Sequence, residues 1–147
     1  SDRPVPTAEP EIRREYEAIA RKNTCPEGYH ALQGHWRFIG QTRAKDFSDE
    51  LWIDGTGYRE SLSGRDGDGV VNARLEGQAR CIYKNRVLFT VDRVEPAGAF
   101  GNRAGDSYPC DALQPMNGKD SHLLLICYPE WDLRTSAGLE YEFERVP

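Results

Sequence analysis

No stretch of this chain approaches the roughly 18 consecutive apolar residues that a membrane-crossing helix needs. The run "LLLIC" at residues 123–127 falls far short. Concentrated positive charge is missing too: 19 Lys and Arg stand against 24 Asp and Glu, a formal net charge of -5. The basic residues are dispersed, often beside acids, and this excludes a general nucleic-acid binder, which neutralises phosphates with a dense cationic surface. There is one Met and there are three His. No C-x-x-C pair occurs, so zinc-ribbon and thioredoxin-type chemistry has no footing. Internal repeats and low-complexity tracts are also absent.

What the chain has in quantity is turn-forming residues, 14 Gly and 9 Pro in 147, a balance that leans toward β structure. That length suits one domain burying about 70% of its extended-chain surface. Four well-separated cysteines, Cys25, Cys81, Cys110 and Cys127, form an even set that fits two disulfides and export. Four buried thiols in a cytosolic chain are the competing reading. The preferred pairing joins Cys110 to Cys127, bracketing a loop, and Cys25 to Cys81, tying the N-terminal segment to the sheet. The first ten residues, "SDRPVPTAEP", are polar and Pro-rich. Residues 1–8 are expected to form a flexible leader resembling the tether after a lipidated cysteine, with any anchor lying before residue 1.

Along residues 9–24, Ile12, Tyr16 and Ile19 recur at i, i+4 and i+7, the stripe of one amphipathic helix. After Cys25 the period changes to two. Trp36 and Phe38 alternate with His35 and Arg37 in a first strand over residues 34–43. "ELWIDGTGYRESL" reads as a hairpin, with Asp54, Gly55 and Gly57 supplying the tight turn. "GRDGDG" makes the next turn. Val71, Ala73, Leu75, Gly77, Ala79, Cys81 and Tyr83 then share one face of a long strand, or of two strands broken at Gly77. "VLFTVDRV" follows with Val87, Phe89 and Val91 inward. Residues 96–119 read as a long Gly- and Pro-rich loop, pinned by Cys110. "HLLLICY" and "LEYEFERV" complete the set, the latter with Leu139, Tyr141 and Phe143 facing the core. About seven or eight short strands separated by turns predict a mainly β fold over residues 32–147, an antiparallel barrel or strongly curled sheet with one N-terminal helix.

"LQGHWRFIG" resembles the G-x-W opening strand of the lipocalin-like (calycin) barrels, "LWIDGTGYRE" their first hairpin in bacterial versions, and "LEYEFERV" their closing strand with an Arg near its end. This resemblance implies a calycin-like barrel in which Trp36 lies across the floor and is covered by Arg145 in a cation-π contact. It also implies a lumen able to carry a small apolar ligand, lined by Trp36, Phe38, Tyr83, Phe89, Tyr141 and Phe143. Aromatics on strands can equally fill a solid eight-stranded barrel, and a filled core is the preferred expectation. The helix stands before the first strand, where the family places one before the last.

Motifs that invite chemistry do not assemble. In "GRDGDG", the EF-hand register puts Gly64 and Leu75 where carboxylates are needed, so a hairpin loop is expected and no metal. Cys25, His30 and His35 match no common zinc spacing. "GDSY" lacks the strained turn and the neighbouring base that would make Ser107 a nucleophile. No credible catalytic set or cofactor motif emerges.

The sequence therefore predicts a non-enzymatic binding module, periplasmic or secreted. Its first version is a protein-binding inhibitor or immunity-type protein of the bacterial cell envelope. Acidic residues Glu130, Asp132, Glu140, Glu142 and Glu144 would steer such a protein to a basic partner, an envelope hydrolase or a toxin. Trp131, flanked by Glu130 and Asp132, is expected to be at least partly exposed, since burying it would drag carboxylates inward, either as a hot spot or folded back over the barrel mouth as a lid. Trp52, out of phase with Leu51 and Ile53, is the second candidate. The alternative is a lipocalin-like carrier of a small apolar ligand.

Overall fold

The computed structural model describes residues 8–22, 32–40, 47–83, 85–113, 121–131, 133 and 138–147. Helix α1 (Ala8–Lys22) precedes eight strands: β1 (Gly34–Phe38), β2 (Ser48–Asp54), β3 (Gly57–Asp66), β4 (Gly69–Tyr83), β5 (Arg86–Glu95), β6 (Ser107–Leu113), β7 (His122–Cys127) and β8 (Leu139–Arg145). Each strand pairs antiparallel with the next, and β8 returns to β1 to close a barrel. The mainly β class, the barrel and the N-terminal helix all match the sequence expectation. The leader and Cys25 lie outside the described residues.

Closure is built around Trp36. Its ring is fully buried, its Nε1 donates to the Leu32 carbonyl at 2.9 Å, and the Arg145 guanidinium lies 4.2 Å from its centroid. Arg145 Nη1 also donates to the Gln33 carbonyl at 2.6 Å. Gly34 makes this approach possible, with φ at 120° and a position where a Cβ would stand 2.6 Å from that same Nη1. The Gln33 amide spans to the β2–β3 turn, accepting from Gly55 N at 2.6 Å and donating to Gly55 O at 3.0 Å. One end of the barrel is thereby sealed.

Two elements depart from the sequence reading. The expected loop 96–119 contains β6, which runs between β5 and β7 and carries Cys110 directly opposite Cys127, where the two are disulfide-bonded. Pro109 obscured this strand, because proline is rare inside a sheet. It is tolerated because the Tyr128 carbonyl that its missing N–H would have reached accepts from Trp131 N at 3.0 Å, while the Pro109 carbonyl still accepts from Tyr128 N at 2.9 Å. Cys81 is disulfide-bonded as well; Cys25, its expected partner, is outside the described residues. β4 is continuous through Gly77, with register shifts at Glu76/Gly77 and Cys81/Tyr83. The second shift turns Tyr83 out of the lumen phase, so Cys81 and Ile82 are both buried and Tyr83 is 43% exposed.

Helix α1 lies outside the barrel on β4 and β5. Tyr16 and Ala20 are buried against Ile82, Leu88 and Trp131, with Ile12 and Ile19 packed at the edge. Arg86 holds the joint, donating to Tyr16 OH at 2.8 Å and to both carboxylate oxygens of Asp111 at 2.7 and 3.0 Å. The exposure expected for Trp131 is not found: it is 2% exposed. The backbone explains this. A φ of 60° at Trp131 turns the indole inward while Glu130 remains exposed. Its Nε1 donates to the Ser107 carbonyl at 2.8 Å, and Arg13 covers its ring at 5.1 Å.

Trp131 thus ties α1 to the start of β6. Trp131→Ala is expected to cost about 3–5 kcal/mol, the range for truncating a buried aromatic, with a parallel loss of amide hydrogen-exchange protection in α1. Urea titration and exchange mass spectrometry measure both; an unchanged midpoint would contradict the packing described.

Candidate lumen site

Strand parity decides what enters the barrel. On β2 the inward set is Asp49, Leu51 and Ile53, and on β3 it is Tyr58, Glu60 and Leu62. The register pairs Ile53 with Tyr58, Leu51 with Glu60 and Asp49 with Leu62. Asp49 and Glu60 are therefore diagonal neighbours on one inner wall, close enough for their side chains to meet. The two carboxyls interact across this diagonal.

Above the Trp36 floor the barrel is hollow. A cavity of about 570 Å³ opens at the end opposite Trp36, bounded by Leu51, Leu62, Phe89, Leu125, Tyr141 and Phe143 around the acid pair. This corrects the expectation of a filled core. β4 turns Ala73, Leu75, Gly77, Ala79 and Cys81 toward the interior. Gly77 is required by its neighbours: a Cβ there would lie 1.9 Å from the Thr90 carbonyl and 2.8 Å from Tyr58 Cε1. The Tyr58 ring meets Phe89 edge-on at 5.2 Å, and Phe89 stacks on Tyr108 at 5.8 Å. At the mouth, Phe47 and Phe100 meet edge-on at 6.4 Å. Phe100 takes φ 52° and donates its backbone N–H to Asp66 Oδ2 at 2.7 Å, which fixes it there.

Among the described residues, no ion pair is made by the acid pair of the lumen. Asp49 is 4% exposed, and its Oδ1 has no hydrogen-bond partner among the described residues; the same holds for the Tyr58 hydroxyl. Burial, then the charge and hydrogen bond of Glu60, hold Asp49 well above the usual carboxylate range. Glu60 lies deep in the barrel with its carboxyl on the cavity wall; burial raises it too, opposed by the hydrogen bond from Asp49. Burial of the two carboxyls side by side thus favours keeping a proton on the pair over ionising both. Burial also raises the phenols of Tyr58, Tyr108 and Tyr141, which stay neutral donors.

Of the lumen residues expected from sequence, Phe89, Tyr141 and Phe143 line the cavity. Phe38 backs them, 6.2 Å from Tyr141 and 5.9 Å from Phe143. Trp36 is the floor, and Tyr83 lies outside against Tyr16, its hydroxyl donating to Glu15 at 3.2 Å. Trp52 is on the outer face as expected, stacked on His35 at 4.4 Å on its β1 side and covered by Arg59 at 5.4 Å on its β3 side. His35 is within 2.6 Å of Glu50 Oε2. Glu130 is exposed; Asp132 is outside the described residues. Ser107 begins β6 in extended strand, and the Asp66 to Gly69 stretch is a plain two-residue turn.

Sequence reasoning missed Asp49, Glu60, Tyr58 and Tyr108 as a group. The signal was present for two of them, since Asp49 shares the phase of Leu51 and Ile53, and Glu60 that of Tyr58 and Leu62. No protein-family model and no curated protein matches this chain. The closed eight-stranded barrel is consistent with a calycin-like architecture, and the disulfide suits an oxidising, non-cytoplasmic compartment.

The raised carboxyls set a pH dependence. Below the ordinary carboxylate range both folded and unfolded chains hold these protons. As pH rises the unfolded chain ionises first, so stability contributed by the protonated pair is lost as pH climbs through the folded-state values. The melting temperature is therefore expected to fall as pH rises above the ordinary carboxylate range, and Asp49→Asn is expected to flatten that slope and raise Tm at the upper end by roughly 3–8 °C. Thermal melts across pH check this; an Asp49→Asn slope equal to wild type would contradict it.

Proposed function

We propose that this protein is a non-enzymatic, exported binding module that holds a small, largely apolar molecule in the open half of a lipocalin-like barrel. The observation that carries this reading is the cavity of about 570 Å³, open at one end and walled by aromatic and aliphatic side chains. Its size falls in the usual range for a small-molecule site, and a few convergent polar groups inside it would orient the ligand. The Trp36 floor with its Arg145 cover gives a rigid base, and Phe47 with Phe100 narrows the entrance. A periplasmic or secreted setting, with or without a lipid anchor, fits the disulfide chemistry.

A second reading is protein binding, as an inhibitor or immunity-type protein toward a basic envelope hydrolase or toxin. The outward Glu140 and Glu142 of β8, with the exposed Glu130, favour it. Its aromatic anchors are weaker: Trp131 is buried, and both faces of Trp52 are already covered by His35 and Arg59.

N-phenyl-1-naphthylamine, a neutral apolar dye at neutral pH, is expected to bind the wild-type protein with enhanced, blue-shifted emission. Leu62→Trp and Leu125→Trp, which fill the cavity from two sides, are expected to weaken that binding at least about tenfold, the scale of losing one good contact set. Trp52→Ala on the outer face is expected to leave it unchanged. Equal dye binding by folded cavity-filling variants would move the site off the lumen.

A further inference from the structure

The apolar wall explains how a hydrophobic molecule is held but leaves the acid pair unused. Two carboxyls face the cavity with no cation among their described partners, and one oxygen of Asp49, in a side chain 4% exposed, has no hydrogen-bond partner among the described residues. Burying such a pair destabilises the fold, because each carboxylate loses water without an ion to replace it. A fold that needed only an apolar cavity would be better served by Leu or Asn at either position. Leu51 and Leu62 on the same strands show that aliphatic side chains fit this wall.

We propose that Asp49 and Glu60 form a cation subsite, and that the ligand is a protonated amine, or another protonated nitrogen base, borne on an aromatic or apolar body. This rests on the lumen-binding reading and specifies its ligand class. Three features of the site select an ammonium over other cations. The acid pair lies one to two strand positions above Tyr58, so a charged head entering first meets the carboxyls while its body remains among Phe89, Tyr108, Tyr141 and Phe143. Those rings offer π faces to a positive charge, a contact worth more in a desolvated site than in water. A hard metal ion is poorly served, since calcium takes about six to eight oxygen ligands and no cluster of three or more ligating side chains occurs among the described residues.

The proton balance follows from the pair itself. In the free lumen the buried, adjacent carboxyls favour keeping a proton on the pair. An ammonium placed between them provides its own N–H donors and stabilises both carboxylates, so up to one proton leaves the pair on binding. The groups facing the pair do not compete for this role: Tyr58 from β3, Tyr108 from β6 and Tyr141 from β8 are neutral phenols, and Glu50, on the outer face of β2, adds only further negative potential. Asp106 and Arg13 stand toward the mouth of the cavity. Affinity for an amine should therefore rise with pH while the pair ionises, the opposite of the trend in the stability of the free protein.

Calorimetric titrations of the full chain with tryptamine, 3-ethylindole and indole-3-propionate compare one aromatic body bearing a positive, a neutral and a negative end. Tryptamine is expected to bind at least about 100-fold more tightly than 3-ethylindole, equivalent to about 2.7 kcal/mol, with indole-3-propionate weakest. In buffers of different ionisation enthalpy, tryptamine binding is expected to release protons. Asp49→Asn and Glu60→Gln, each an isosteric neutralisation, are expected to cut tryptamine affinity at least about tenfold while leaving 3-ethylindole and the naphthylamine dye bound as before. Equal affinity of wild type for tryptamine and 3-ethylindole, or a tryptamine preference that persists in both variants, would overturn the cation subsite while leaving lumen binding intact. If neither the indoles nor the dye binds, the lumen reading itself falls.

Discussion

The barrel depends on the closure of β1 against β8, and that closure depends on the packing of Trp36 under Arg145. β1 has five residues and meets β8 through three register pairs, among them Trp36 with Arg145. So short a pairing would leave two open sheet edges if it slipped. The indole, hydrogen bonded to Leu32 and covered by the guanidinium, fills the floor with one side chain and fixes the register of the seam at the same point. Arg145 approaches only because residue 34 has no Cβ. Three positions far apart in the chain thus act as one unit.

Sealing one end with large side chains has a consequence at the other. Eight strands enclose an interior that side chains can fill, and here the bulk is used at the floor. Toward the mouth the inward positions of β2 and β3 carry Asp49 and Glu60, and β4 sets Leu75 opposite Glu60. The helix does not compensate by plugging the opening. Its buried stripe is spent on the outer face of β4 and β5, where Trp131, Arg86 and Asp111 hold it. Among the described residues, the buried stripe of the helix does not enter the cavity.

Two acidic sites in this fold contrast in a way that separates structure from function. Asp111 is part-buried and receives both forks of Arg86, an arrangement that repays its desolvation with charge-assisted hydrogen bonds. Asp49 is more deeply buried and has only another carboxyl as partner. The first stabilises the helix joint. The second has no compensating ion pair among the described residues, so its burial costs stability.

Much of the fold was legible because strand parity is a local property. The period of two from Trp36 to Phe38, from Val71 to Cys81 and from Tyr141 to Phe143 follows from the sequence alone, as do the Gly55 turn and the stripe of α1. The Cys110 to Cys127 pairing was a preference there and became a fact only when β6 was seen to lie beside β7. By parity Asp49 and Glu60 could each have been assigned to the interior, but not to one another. Their meeting depends on the β2–β3 register that sets Leu51 opposite Glu60, and their lack of a counter-ion depends on all eight strands at once. The same holds where the tertiary structure overruled local pattern: a bulge turned Tyr83 outward, a left-handed residue folded Trp131 under the helix, and the carbonyl that Pro109 could not serve was taken by Trp131. Local sequence determines which way each side chain points along an unbroken strand; only the closed sheet decides where strands break phase, which strands become neighbours, and which inward groups are left without partners.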